Sequence, residues 1–457
     1  MPLPPGPKLP PAIQLFQFLR RPLEFFEDAA AKYGDPFTIR LMGFPPIVLF
    51  SGPENLKEIF SKSPEDLVAG EANVVQKPFL GENSVLLLDG PAHKRARFLL
   101  APPLRGERMM EYGEQMIALT NDSIDGWPVG SEFPLMTKLQ DVRLQVVLHT
   151  QFGMDDPGVR EHAKKLLHEA IDRGLAPGMY LPFVQKALGE RSPWAKFQRA
   201  KTAVDEMMLA FVKERRAKGT AGRVDILSKL VDAVDEAGEP MGDQEITDQI
   251  MTLLLAGHEP VPGGLGWTLR HILPEPALMK ALKEELSGAM DGGSPVPAKV
   301  ASLPLMHATI CETLRLEPVV LMVQRLTKKA MRIGGVDLPA NTRVACSPYL
   351  AHQRPESWPD PKRFDPSRFI TGKPSPYEWL PFGGGHRRCL GMAFGLYEIK
   401  MLLAAILART DLQIAPGKTI KLRRRAVNFV PSEGLPVVLA KAPRPRGSAA
   451  GSLAGAA

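Results

Sequence analysis

Apolar residues return at intervals of three and four over much of this chain, the period that gives a helix one buried face. On that pattern, helices are predicted over residues 21–32, 53–61, 109–124, 135–152, 159–171, 193–216, 243–269, 306–316 and 392–410, with another opening at Pro91. Shorter apolar runs at 37–41 and 46–50 read as a strand pair joined through Gly43. Residues 326–344 alternate as strands turning at Gly334-Gly335, and 426–431 reads as a last strand and turn. The balance is mainly α with a small β-rich lobe, an α+β chain.

Breaks in the pattern are as informative. Residues 174–191 join two helices through Met179, Tyr180, Leu181, Phe183 and Val184, a long apolar connection of the kind that serves as a lid. Residues 74–88 show little periodicity, and their Val85 and Leu86 suit either an apolar ligand or the core. In the 243–269 stretch, Pro260 removes a backbone N–H and crowds the carbonyl of Ala256, with Pro262, Gly263 and Gly264 close behind. The helix is therefore expected to kink or open between 256 and 264.

Composition narrows the class without naming a chemistry. The chain has 457 residues, 44% of them hydrophobic and 23% charged, ordinary values for a globular protein with a large core. No linker interrupts 20–442, which reads as one domain; 1–19 is a proline-rich segment, and 443–457 has the composition of a disordered tail. A net charge of +7, with bases interspersed among acids, gives no support to a nucleic-acid partner. Three scattered cysteines without a Cys-x-x-Cys pair fit a reducing compartment and argue against structural zinc. The longest apolar run, 401–408, is far short of the ~20 residues that span a bilayer. A soluble, cytoplasmic monomer without a membrane anchor is expected.

The chemistry concentrates in the run from Pro381 to Gly391, where three glycines precede His386, Arg387, Arg388 and Cys389. Such a run is a turn, and the helical pattern from Met392 puts Cys389 just before a helix start. The N–H groups there favour thiolate, the metal-binding form. The spacing of Phe382, Gly385, Arg387, Cys389 and Gly391 resembles the haem-binding signature of the cytochrome P-450 family, and further motifs follow the family order from about Pro45 to Pro436. The resemblance implies the family fold, with a long central helix over the haem and the cysteine loop below it.

By that resemblance Cys389 is the axial thiolate of a haem b iron. Phe382, Gly383 and Gly391 shape its loop, while His93, Arg97, Arg325 and Arg387 grip the propionates. His93 and Arg97 lie at i and i+4 of one helix, so both can reach one anion. Glu312, Arg315 and Arg368 are implied as a buried charge network behind the loop. The family pattern Ala-Gly-x-acid-Thr is filled here by Ala256, Gly257, His258, Glu259 and Pro260. The acid that joins proton delivery is present; the threonine hydroxyl is not. Implied pocket contacts are Val85, Leu86, Leu253, Ala256, Val320, Leu321 and Phe429.

The implied activity is a monooxygenase. It places one atom of dioxygen in an apolar small molecule, as hydroxyl or epoxide, and releases the other as water. No flavin or nicotinamide motif is present, so electrons come from a separate ferredoxin or flavodoxin. Lys94, Arg95 and Arg388 are placed to steer such an acidic donor. Pro260 keeps two other readings open: direct use of peroxide, or chemistry without reductive oxygen activation. A haem protein that binds a ligand without turnover would carry the same cysteine motif.

Overall fold

The computed structural model describes residues 2–176, 178–186, 189–425 and 428–446. Its long helices follow the periodic segments: Leu135–Thr150, Pro157–Gly174, Pro193–Lys218, Asp243–His258, Pro260–Ile272, Pro304–Leu316 and Met392–Arg409. Proline repeatedly occupies the first helical position, as at Pro22, Pro53, Pro157, Pro193, Pro276 and Pro304. There its fixed φ is pre-set and its missing N–H would have had no partner. The helix Met392–Arg409 is buried almost all round, with every residue from Met401 to Ala408 in the core. The helices Gly113–Asp125, Pro260–Ile272, Pro276–Ser287, Pro297–Ala301 and Pro304–Leu316 pack against it.

Five strands form the β-rich lobe in the order Phe37–Ile39, Ile47–Phe50, Arg343–Cys346, Val323–Thr327, Leu67–Val68. All neighbours are antiparallel except Arg343–Cys346, which runs parallel to Ile47–Phe50. The predicted Gly334-Gly335 turn joins the hairpin Met331–Ile333 and Val336–Leu338, both glycines with positive φ. The strand from 426 is observed as Asn428–Pro431; Ala426 and Val427 lie outside the described residues.

Several expectations need correction. The first 19 residues are more than a proline-rich lead: Pro11–Arg20 is a helix burying Leu15 and Phe18, and the Thr38 N–H and hydroxyl donate to the carbonyls of Pro5 and Pro4. The tail holds to the fold through residue 446, with Arg444 paired to Asp411 at 2.8 Å; residues 447–457 lie outside the described residues. The loop at 74–88 begins inside a 3₁₀ helix, Glu71–Gln76, and continues as a short helix, Lys77–Leu80. The helices Ile226–Val231, Pro276–Ser287 and Pro297–Ala301 had no predicted counterpart.

The central helix breaks as Pro260 dictates. It ends at His258, Glu259 sits between the halves, and Pro260 starts the second half at a position where no N–H is needed. The opening is narrower than expected: Pro262, Gly263 and Gly264 are helical, and the Gly263 N–H already bonds Glu259 O at 2.9 Å.

Candidate active site

The Cys389 loop is fixed from both sides. Gly385 has φ of +65°, and a Cβ on it would lie 2.5 Å from Phe60 O, so only glycine fits. A short 3₁₀ turn, Gly385–Arg387, follows, and the Cys389 N–H bonds Phe382 O at 2.9 Å. Gly391 caps the helix Met392–Arg409, and a Cβ there would meet no protein atom within 4 Å. Cys389 is exposed, whereas Cys311 and Cys346 are buried. The helix start does not dominate its acidity as predicted. Desolvation by the surrounding protein pushes the thiol up, against opposing pulls from the Gly391 N–H, Arg97 and Arg388. A metal cation would add to the positive charge that Arg97 and Arg388 already bring.

Around the loop lies a cluster of basic groups, of which Arg97 acts on the sulfur. His93 and Arg97 project from the helix Gly90–Leu100, Arg325 from the strand Val323–Thr327, and His386 and Arg387 from the loop. Arg97 Nη1 donates to Arg388 O at 2.9 Å. Arg387 donates to the carbonyls of Val85 and Leu88 and to the Asp89 carboxylate. Burial, then Arg387, Arg97 and His386, pushes His93 down to about 3, with Asp89 opposing. Burial, then Arg325, Arg387 and Arg97, holds His386 at about 4. The buried Arg387 Nε and His386 Nε2 have no hydrogen-bond partner among the described residues. Arginines crowded beside two uncharged imidazoles, with donors left over, fit a doubly carboxylated group such as haem. His386 was not among the predicted residues; its place next to Arg387 was the only signal.

Behind the loop, Glu312 and Arg315 are wholly buried. Glu312 accepts from Arg315 Nε and Nη2 at 2.6 and 2.8 Å and from the Asp365 N–H at 2.9 Å. Arg368 Nε is 3.4 Å from the same carboxylate, an ion pair without hydrogen-bond geometry. Arg315 also donates to the carbonyls of His352, Pro361 and Arg363 and lies 5.1 Å from the Trp358 ring. Two connections to the loop had not been foreseen. His352 Nδ1 bonds Arg315 O at 3.0 Å while its Nε2 accepts from the Leu380 N–H at 2.9 Å. An aromatic ladder, Trp358–Phe369–Trp379–Phe382, runs from Arg315 to the loop with ring separations of 5.8, 5.6 and 6.0 Å. Aromatic side chains with irregular spacing carry no periodic signal, so these links were invisible in the sequence.

On the central helix, Leu253, Ala256 and Pro260 are open to different extents while Leu254, His258 and Glu259 are buried. The spacing puts the first three on one face. Glu259 turns away from it: its carboxylate accepts from Gln140 Nε2 at 3.1 and 3.3 Å. The pocket candidates fall in different apolar clusters. Val85 lies in the main helical core, against which Leu253 and Val320 pack. Leu321 and Phe429 are buried in the β-lobe cluster with Phe18 and Phe25. Leu86 is exposed. The lid segment packs on the 74–88 region, Tyr180 stacking on Phe79 at 4.5 Å.

A thiol displayed on a glycine-rich loop beside a basic cluster is the arrangement expected of a haem-thiolate protein. Comparison with known proteins agrees. The family model described as Cytochrome P450 matches residues 4–435. Putative cytochrome P450 135B1 of Mycobacterium tuberculosis is 34% identical, over 95% of this chain and 90% of its own length. Putative cytochrome P450 135A1 of the same organism is 33% identical, over 94% of each. The chain superposes on retinoic acid-bound cyanobacterial CYP120A1 with a TM-score of 0.83 at 23% identity, covering 96% of this chain and 99% of that one. It superposes on the haem domain of cytochrome P450DA with 0.84 at 21%, covering 97% and 98%. The chain belongs to the cytochrome P450 family, and with it to the oxygen-incorporating haem-thiolate oxidoreductases. Among the described residues, no helix is long and apolar enough to cross a membrane.

Proposed function

We propose that this chain is a monooxygenase of apolar small molecules, holding haem b through Cys389 and receiving electrons from a separate acidic ferredoxin or flavodoxin. The observation that carries the reading is the exposed Cys389 beside His93, Arg97, Arg325, His386 and Arg387, with donor atoms left unpaired in a buried setting. Bound there, the haem would supply the oxygen chemistry. The chain's own residues do the rest. The cationic cluster offsets the propionate charge. The Phe382 carbonyl and Gly391 N–H orient the cysteine backbone and sulfur. The apolar face of Leu253, Ala256 and Pro260 excludes water and orients a lipophilic substrate.

The docking patch is smaller than predicted. Arg95 is committed to Asp235 and Glu245 at 2.5 and 2.6 Å, whereas Lys94 and Arg388 are exposed. A groove of 180 Å³ beside the loop, lined by Trp379, Phe382, Arg388 and Met392, gives an acidic partner a place to seat. A specific observation favours peroxide as an alternative oxidant source: Pro260 offers no hydroxyl, and the Glu259 carboxylate is held by Gln140. The deciding experiment is spectroscopic. Reduced protein under carbon monoxide should show the red-shifted Soret band of thiolate ligation; its absence would end this reading. Lipophilic compounds that shift the resting spectrum should then be converted, separating an enzyme from a binding protein.

A further inference from the structure

The break in the central helix leaves a structural debt in its backbone. In an unbroken helix, the carbonyls of the last turn before Pro260 would take N–H groups from the next turn, and Pro260 has none to give Ala256. The neighbouring helix Leu135–Thr150 presents three long side chains to this region at i, i+4 and i+7: Met136, Gln140 and Arg143. Each meets a feature of the central helix. A Cβ on Gly266 would be 2.4 Å from Met136 Sδ, and one on Gly257 would be 2.5 Å from Arg143 Nη2. Gln140 holds the Glu259 carboxylate, and Arg143 Nε donates to Gly257 O at 3.3 Å.

Arg143 is almost wholly buried, and its ion-pair partner comes from a third element. Glu398, on the helix that follows Cys389, lies 3.3 Å from Arg143 Nε and has no exposed side-chain surface. Both Glu398 oxygens and Arg143 Nη1 lack hydrogen-bond partners among the described residues. A buried ion pair with unsatisfied atoms adds little net stability, and apolar residues of similar volume would often serve as well. The pair is better explained by another role. The three groups in contact belong to the opened turn, to the helix that braces it, and to the helix that carries the cysteine loop.

We propose that Arg143, neutralised by Glu398, is a positioning residue that ties the Gly257 carbonyl, one residue past the acceptor that Pro260 leaves without an N–H, to the helix Leu135–Thr150 and fixes it relative to the cysteine helix. The proposal rests on the haem-thiolate reading, because the face it positions is the one formed by Leu253, Ala256 and Pro260. Gly257 is required by the same arrangement, since any side chain there would displace the guanidinium.

The test uses the haem-loaded protein with carbon monoxide as the probe of the open face. The wild-type reduced spectrum first establishes thiolate ligation, so a failure there is distinct from a failure here. Arg143→Met should shift or broaden the infrared C–O stretching band and speed autoxidation. Arg143→Lys should restore both in large part. The paired variant Arg143→Met/Glu398→Met removes the buried charges together and should recover thermal stability while keeping the altered C–O band. The proposal is overturned if the paired variant has a wild-type band and autoxidation rate, because the pair then serves stability alone. It is equally overturned if Arg143→Met folds with an unchanged band.

Discussion

Replacing Glu312 by Ala probes the network behind the cysteine loop. The substitution removes the acceptor for two Arg315 nitrogens at 2.6 and 2.8 Å and for the Asp365 N–H at 2.9 Å. Breaking a buried ion pair typically costs ~3–5 kcal/mol. Here Arg315 keeps the carbonyls of His352, Pro361 and Arg363 and the face of Trp358, so the lower end applies, about 3 kcal/mol. That is a large share of the ~5–15 kcal/mol that holds an ordinary domain together. The loss does not stay local. Arg315 O fixes His352, and His352 holds the Leu380 N–H at the entrance to the cysteine loop. The expected outcome is a lower urea midpoint by far-UV circular dichroism together with a reduced haem-to-protein ratio. Glu312→Gln keeps the shape and one acceptor, and should lose less of both. A Glu312→Ala protein within ~1 kcal/mol of wild type and fully loaded with haem would refute the network's role.

Three further outcomes follow from the same geometry. Burial and the adjacent Arg315 push His352 down to about 3 from an ordinary 6.5, so the unfolded chain binds an extra proton between those values. Its contribution is complete above pH 6.5 and is lost as pH falls; the slope of urea midpoint against pH in that window should flatten in His352→Gln, and an unchanged slope would count against the assignment. Pro260→Thr restores a hydroxyl at the open face, and product formed per NADPH consumed should rise; a constant ratio would show that the missing hydroxyl does not limit coupling. Raising ionic strength, or introducing Arg388→Glu, should slow reduction by an acidic ferredoxin. A rate insensitive to both would remove Lys94 and Arg388 from the docking surface.

What was legible in the sequence depended on the range of the interaction. Helices such as Pro53–Ser61, found at the predicted bounds, announce themselves by local periodicity and by proline at the first turn. The broken central helix was equally local, since Pro260 acts on its own neighbours. The helix Pro11–Arg20 was masked by the prolines around it, although Leu15 and Phe18 carry its buried face. The desolvation of Cys389 was not visible in the sequence, because a helix start is local whereas desolvation is made by residues from many segments. Gln140, Arg143, His352 and His386 act through partners on other segments or through the way the loop is turned. No spacing rule joins residue 143 to residue 398.

The parallel pairing of Arg343–Cys346 with Ile47–Phe50 has a temporal consequence. At ~5–20 residues per second, a ribosome needs roughly 15–60 s to pass from one strand to the other. Until then the edge of Ile47–Phe50 waits without that neighbour, a delay that exposes hydrophobic strands to self-association. The cysteine loop emerges later still, so cofactor capture follows the completion of that strand pair. Expression at lower temperature, with a haem precursor supplied from the outset, is the culture regime this order of events recommends.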